Sequence, residues 1–222
     1  MRLAKDEMGD PVALLIDLNQ KFQENFKLTS QASPTMLVEV ERKARVFTGL
    51  GEELRTIADS TTRKELCSIL DEVFADLIVS IYLAFCSLDK PANMSLRRAL
   101  EVSVAFVYLW DNASMYWSWK THDKDLSFET MTSELKSPGY ASFLQNEGSS
   151  FEEVHIKTLR DLYRELSNEV HGKLSSFETK LESKFSYDKD DINSHLIKMD
   201  SAQSALIKIF SGRFPSAKTL SL

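Results

Sequence analysis

Residues 96–110 constrain the fold more than any other part of the chain. Leu96, Ala99, Leu100, Val102, Val104, Ala105, Phe106, Val107, Leu109 and Trp110 cover nearly the whole circumference of a helix. A helix that is apolar on all sides has to be enclosed by other elements, so the rest of the chain must supply its cover. That cover is predicted to be helical as well: only 7 glycines and 5 prolines punctuate 222 residues, and such sparse turn chemistry favours a few long helices over many short strands. With 43% hydrophobic and 27% charged residues, the chain can bury a sizeable core. The fold class is therefore all-α, an up-and-down helical bundle with residues 96–110 at its centre.

The punctuation gives the order of elements. Asp10-Pro11 reads as a cap with proline in the first turn, opening a helix to about Phe26, and Ser33-Pro34 repeats the device. The second helix carries Leu37, Val38, Val40, Ala44 and Val46, and a bend is expected at Gly49 and Gly51. Thr61 or Thr62 starts a third long helix to about Phe85, and Pro91 to Ser95 supply the next break. Glu101, on the central helix, needs a partner if buried, and Arg97 or Arg98 stand one turn back. Ser127 begins another helix, 136–140 is a turn before a short helix over 140–144, and 146–150 is a loop. Ser150-Phe-Glu-Glu153 matches a capping box launching a helix that Gly172 is placed to end. After a weakly helical connector, a final helix over about 190–210 buries Ile192, Leu196, Ile197, Leu206 and Ile209, and Gly212 and Pro215 close it. Residues 1–59 form a helical extension packed on a bundle of 60–212, and 213–222 form a polar tail.

The helix between Glu153 and Gly172 is patterned for two different tasks. With Leu166 at the centre of its apolar stripe, Leu159, Leu162, Tyr163 and Val170 lie within about 60° of it. Arg164 and His171 fall on the opposite side, seven positions and so close to two turns apart, about 10 Å along the axis. Arg160, Ser167 and Asn168 join them, giving five hydrogen-bonding residues on one surface. Such a face is most simply a solvated one. Its composition nevertheless suits phosphodiester cleavage, because an exposed imidazole titrates near neutrality, at about 6.5, and can move a proton from a ribose 2′-hydroxyl. A guanidinium beside it braces the charge that builds on the phosphoryl oxygens. No metal and no cofactor is required.

These residues resemble a known family. Arginine, four to six residues, then histidine near the end of a late helix is the signature of HEPN domains, and here it reads Arg164-Glu-Leu-Ser-Asn-Glu-Val-His171, within a resemblance over about residues 60–210. The resemblance implies a HEPN-like bundle of four or five helices that pairs as a homodimer and brings two motifs to one cleft. Many members are metal-independent endoribonucleases of toxin-antitoxin and antiviral systems, cutting RNA or tRNA through a 2′,3′-cyclic phosphate, and some act with a companion protein; others serve as non-catalytic binding modules. On this likeness Arg164 and His171 are the catalytic residues, with Arg160, Ser167 and Asn168 in support. Glu165 stands where the commonest form has a polar residue such as asparagine, and Asn168, one turn on, offers an amide from the same face.

A second unusual segment, Tyr116-Trp-Ser-Trp-Lys-Thr-His-Asp-Lys-Asp125, joins aromatic rings to cations. Trp117 and Trp119 fit one of two roles: pinning a helix end to a neighbour, or stacking a base or partner group while Lys120 and His122 hold its charge. Metal binding by His122 with the aspartates ranks last. The remaining readings narrow the function. A net charge of -6 argues against a broad nucleic-acid surface, so contact with RNA has to be local. Cys67 and Cys86 form no metal or redox motif and read as buried thiols. Val73 to Cys86 is the most apolar run, but it is about 14 residues long with Asp76 inside, short of the roughly 20 needed to cross a bilayer. No signal-peptide core follows Met1, so a cytoplasmic protein without membrane contact is expected. Glycine-rich phosphate loops, nucleophile elbows and paired-cysteine zinc sites are absent from the sequence. A non-catalytic helical interaction module remains the alternative to a nuclease, and a nucleotide-sensing domain built on the aromatic segment is a third.

Overall fold

In a computed structural model that describes residues 12–170 and 185–221, the chain is all-helical among those residues. The helices are α1 (Ala13–Ala32), α2 (Pro34–Ile57), α3 (Thr61–Leu66), α4 (Ser68–Phe85), α5 (Asp89–Asp111), α6 (Ala113–Lys120), α7 (Phe128–Leu135), α8 (Pro138–Asn146), α9 (Glu153–Val170) and α10 (Lys189–Arg213), followed by a 3-10 turn at Lys218–Leu220. Each boundary has a local cause. Ser60, Ser127 and Ser137 accept from Arg63 N, Thr130 N and Tyr140 N at the starts of α3, α7 and α8, satisfying donors that a helix leaves bare at its first turn. Asp188 does the same for α10, accepting from Asp190 N at 2.8 Å and Asp191 N at 3.3 Å.

α4 and α5 form an antiparallel hairpin and the most extensive helix pair. The turn between them uses Ser87 at φ 57°, with Leu88 N donating to Leu83 O and Ser87 N to Ala84 O, both at 2.9 Å. This closure satisfies the last carbonyls of α4 through one left-handed residue. α5 starts at Asp89, not after Pro91 as expected, because proline in a first turn lacks only an N–H the helix has no use for. From Ser103 to Trp110 α5 is buried at every position, as an all-round apolar helix should be. α4, α7, α9 and α10 pack against it.

The core is continuous. Phe47 of α2, Phe106 of α5 and Phe210 of α10 are fully buried, and Phe210 meets each of the other two edge-on at 5.8 Å between ring centres. Burying a side chain of that size contributes about 2–3 kcal/mol, and edge-on ring pairs add roughly 1 kcal/mol. α2 thus packs into one core with the helices that follow it. α1 lies at its edge, held where Asn25 Nδ2 donates to Phe185 O at 3.0 Å.

Several expectations are corrected. α2 runs unbroken through Gly49 and Gly51: the glycines make room, since a Cβ at Gly49 would meet Thr219 Cγ2 at 2.8 Å and one at Gly51 would meet Cys67 O at 3.1 Å. The helix expected over 61–85 is interrupted at Cys67. The capping box at Ser150 does not form; α9 begins at Glu153 and Ser150 N donates to Gly212 O at 3.0 Å. Ile197 is exposed, not buried. The polar tail docks on α2, where the Glu53 carboxylate accepts from Lys218 N, Thr219 N and Thr219 Oγ1 at 2.7–3.0 Å. The end expected for α9 at Gly172 and the cap at Asp10-Pro11 lie outside the described residues. No described helix is long and apolar enough to cross a membrane.

Candidate functional site

α9 turns Ile156, Leu159 and Leu166 fully into the core, so its other side is fixed outward. There Arg160, Arg164, Ser167 and Asn168 line one hollow of about 220 Å³ together with Tyr163 of the same helix and Phe128 and Glu129 of α7. Four of the five residues expected to share a polar face therefore converge. The fifth, His171, lies outside the described residues. α7 reaches this place because its first residue, Phe128, is buried and stacks on the Tyr163 ring, with centres 3.9 Å apart and planes 9° apart.

The charges around the hollow are unequally engaged. Arg160 is paired with Glu129 across the mouth. Arg164 has a side chain 68% exposed and, among the described residues, is ion-paired only with Asp161, one turn back at 3.4 Å, a solvated contact that costs little to break. Its guanidinium is thus available to an incoming anion. Glu165 does not face the hollow, since Lys198 of α10 takes its carboxylate at 2.9 Å. The acidic residue directly after Arg164 is thereby neutralised on another side of the helix.

Arg97 is the site residue that sequence reasoning missed. From α5 its Nε donates to Ser167 Oγ at 3.0 Å and its Nη2 to Tyr163 Oη at 2.5 Å, while the guanidinium lies 4.6 Å from the Tyr163 ring centre. Ser167 Oγ in turn donates to Tyr163 O at 2.7 Å. The expected pairing of Glu101 with Arg97 or Arg98 is accordingly not formed: Arg98 forks onto Asp76, both bonds 2.6 Å.

Behind the hollow a buried polar chain ties four helices. Lys198 Nζ donates to Glu169 Oε1 at 2.7 Å, Asn93 Nδ2 donates to Glu169 Oε2, Asn93 Oδ1 meets His195 Nδ1 at 3.0 Å, and His195 Nε2 meets Ser80 Oγ at 3.0 Å. Ser80 Oγ is also 2.8 Å from Ala92 O, so its one hydroxyl hydrogen is shared between that carbonyl and His195 Nε2. The amide nitrogen of Asn93 must face the carboxylate, so its oxygen faces the ring and the Nδ1 atom carries hydrogen. Burial lowers the His195 pKa to about 4, helped by the charge of Lys198, and the ring is neutral. Burial also opposes the charge on Lys198, but its bonds to Glu169 and Glu165 more than offset this and raise its pKa. The signal for a buried histidine was present in the sequence: His195 stands at apolar spacing with Ile192, Leu196 and Met199, all buried.

The aromatic segment divides. Tyr116 is the residue that pins α6, buried and donating its hydroxyl to Glu65, which also accepts Lys120. Trp117 and Trp119 are 51% and 39% exposed, and each ring lies against Tyr116. Lys120 Nζ lies 5.1 Å from the Trp117 ring centre, and His122 is exposed at φ 59° in the turn that follows. Cys67 and Cys86 are free and buried, and burial pushes both thiols up, away from the reactive thiolate form. Among the described residues no group of three or more His, Cys, Asp or Glu is placed to hold a metal ion. Comparison with family models, with curated proteins and with solved structures returned no match.

Proposed function

We propose that this chain is a metal-independent endoribonuclease of the HEPN type, acting at the polar face of α9. The observation that carries the reading is the convergence of Arg160, Arg164, Ser167 and Asn168 on one hollow, with Arg164 open to an anion. In this reading a phosphodiester enters the hollow and Arg164 braces its non-bridging oxygens. His171 removes the 2′-hydroxyl proton, the oxygen attacks phosphorus, and the 5′-oxygen leaves with a proton, giving a 2′,3′-cyclic phosphate. Ser167 and Asn168 orient the substrate. Pairing of two copies would bring two such faces to one cleft. The setting, a toxin-antitoxin or antiviral system, follows from the resemblance alone.

Purified protein incubated with total RNA in chelator is expected to produce new cyclic-phosphate ends, reduced at least about 100-fold in Arg164→Ala and abolished in His171→Ala. Arg164→Ala should melt at the wild-type temperature because its side chain is exposed. Equal cleavage by all three proteins, or none by the wild type, overturns the reading. A second reading, a non-catalytic interaction module, is favoured by one feature: Glu129 already places a carboxylate on Arg160 at the mouth of the hollow. It predicts no cleavage and a stable complex with a companion protein across this face.

A further inference from the structure

Two residues of α5, Asn93 and Arg97, stand one turn apart on the same face and are the polar groups by which that helix grips α9. Asn93 reaches Glu169, and Arg97 reaches Ser167 and Tyr163. Tyr163 and Ser167 line the hollow, and Glu169 stands two positions before His171 in the chain. We infer that Asn93 and Arg97 are positioning residues that set the rotation of α9 about its axis, and through it which side chains the polar face presents.

The chemistry of the contact supports a fixed geometry over mere adhesion. Apolar side chains would fill the space between α4, α5 and α10 without demanding any orientation. A buried polar group is favourable only when it meets its partner, and because Asn93 Oδ1 is already committed to His195, a small rotation of α9 would carry Glu169 away and leave the Asn93 amide hydrogens without an acceptor. Asn93 is 7% exposed, so water reaches its amide poorly once Glu169 has moved away. Arg97 adds a second point of hold: its planar fork spans Ser167 Oγ and Tyr163 Oη, and two points on a rod fix its rotation where one does not. The charged groups around this chain are Lys198 and Asp191 of α10, Glu165 and Glu169 of α9, Asp89 of α5 and Asp188 just before α10, and Lys198 bonds both glutamates.

The consequence for catalysis rests on the ribonuclease reading above, and the test separates the two. Native-state amide exchange is followed in the full-length protein over residues 163–170, with 156–162 of the same helix as internal control. Asn93→Leu and Arg97→Met are each expected to speed exchange in 163–170 at least tenfold with the control segment unchanged. Asn93→Asp, which sets two carboxylates against each other, should do the same. Adding Glu169→Gln to Asn93→Asp returns one donor and one acceptor to the contact with their roles exchanged, and should restore protection. In cleavage assays the single variants should lose at least tenfold in kcat with KM held within twofold, and the double variant should recover. Unchanged exchange in 163–170, an even loss along the whole helix, no rescue by the double variant, or wild-type kcat in a variant whose exchange has risen each overturn the inference. If the wild type cuts no RNA, the ribonuclease reading falls, and the exchange and rescue results alone decide whether Asn93 and Arg97 fix α9.

Discussion

His195 couples the stability of the protein to pH. Its folded pKa of about 4 lies below the ordinary 6.5, so between those values the unfolded chain binds the proton and the folded one does not, and stability rises with pH across that window. The contribution is complete above about pH 6.5 and falls by about 3 kcal/mol by pH 4. Urea midpoints measured from pH 8 to 4.5 should fall less steeply in His195→Gln than in wild type, and parallel curves would contradict this assignment. Arg213 and Asp111 make the opposite kind of contact, an ion pair nearly closed to water with side chains 9% and 2% exposed. Tyr140 Oη donates to the same carboxylate at 2.6 Å, and burial, followed by the Asp111 charge, raises the tyrosine's own pKa. Arg213→Met strands a buried carboxylate and should cost about 3–5 kcal/mol by urea denaturation, whereas adding Asp111→Leu should recover much of it. A single-variant cost below about 1 kcal/mol would show that water reaches the pair.

At the scale of elements, the packing of one glycine decides how α10 meets the segment that leads into α9. A Cβ at Gly212 would lie 2.0 Å from Ser150 O and 2.7 Å from Phe151 Cβ, and the nearer of these is backbone, which cannot swing away. Gly212→Ala should therefore cost at least about 2 kcal/mol, while Gly148→Ala, at φ 68° with nothing near its Cβ, should cost about 1–2 kcal/mol through backbone strain alone. Thermal melts of the two variants test the ranking. The role of Gly212 illustrates where sequence reading stopped. A glycine near a helix end reads as a terminator, and α10 does end at Arg213, but the close approach that demands glycine there comes from a neighbour more than sixty positions away. Gly49 and Gly51 likewise sit where distant neighbours, Thr219 and Cys67, come close. What was legible came from local periodicity: the enclosed centre at α5, the two-sided pattern of α9, the cap at Ser127. At the site, Arg160, Arg164, Ser167 and Asn168 could be grouped because they belong to one helix. Arg97, Phe128 and Glu129 could not, because only packing brings them to it.

For the whole molecule, charge sets the scale of any contact with nucleic acid. The net charge is -6, and the cations lining the hollow are Arg160 and Arg164. Two or three phosphate contacts on single-stranded RNA correspond to a slope of about -1.4 to -2.1 in log K against log salt. Fluorescence anisotropy with a short labelled oligonucleotide between 50 and 200 mM salt, at about those values, is expected to give that weak dependence, and a slope steeper than about -4 would reveal a far wider basic footprint than the site accounts for.

The clasp between Glu53 and the segment at Lys218–Thr219 spans 165 and 166 positions, and α10 covers the same side of α2. While the chain is being synthesised, Val40, Phe47 and Leu54 therefore emerge long before the helix that will cover them, and loop closure over such a separation comes late and slowly. During that interval the nascent polypeptide displays a greasy ridge to the ribosome's surroundings, so its yield in cells should depend on holding chaperones more than the marginal stability of the finished bundle would suggest.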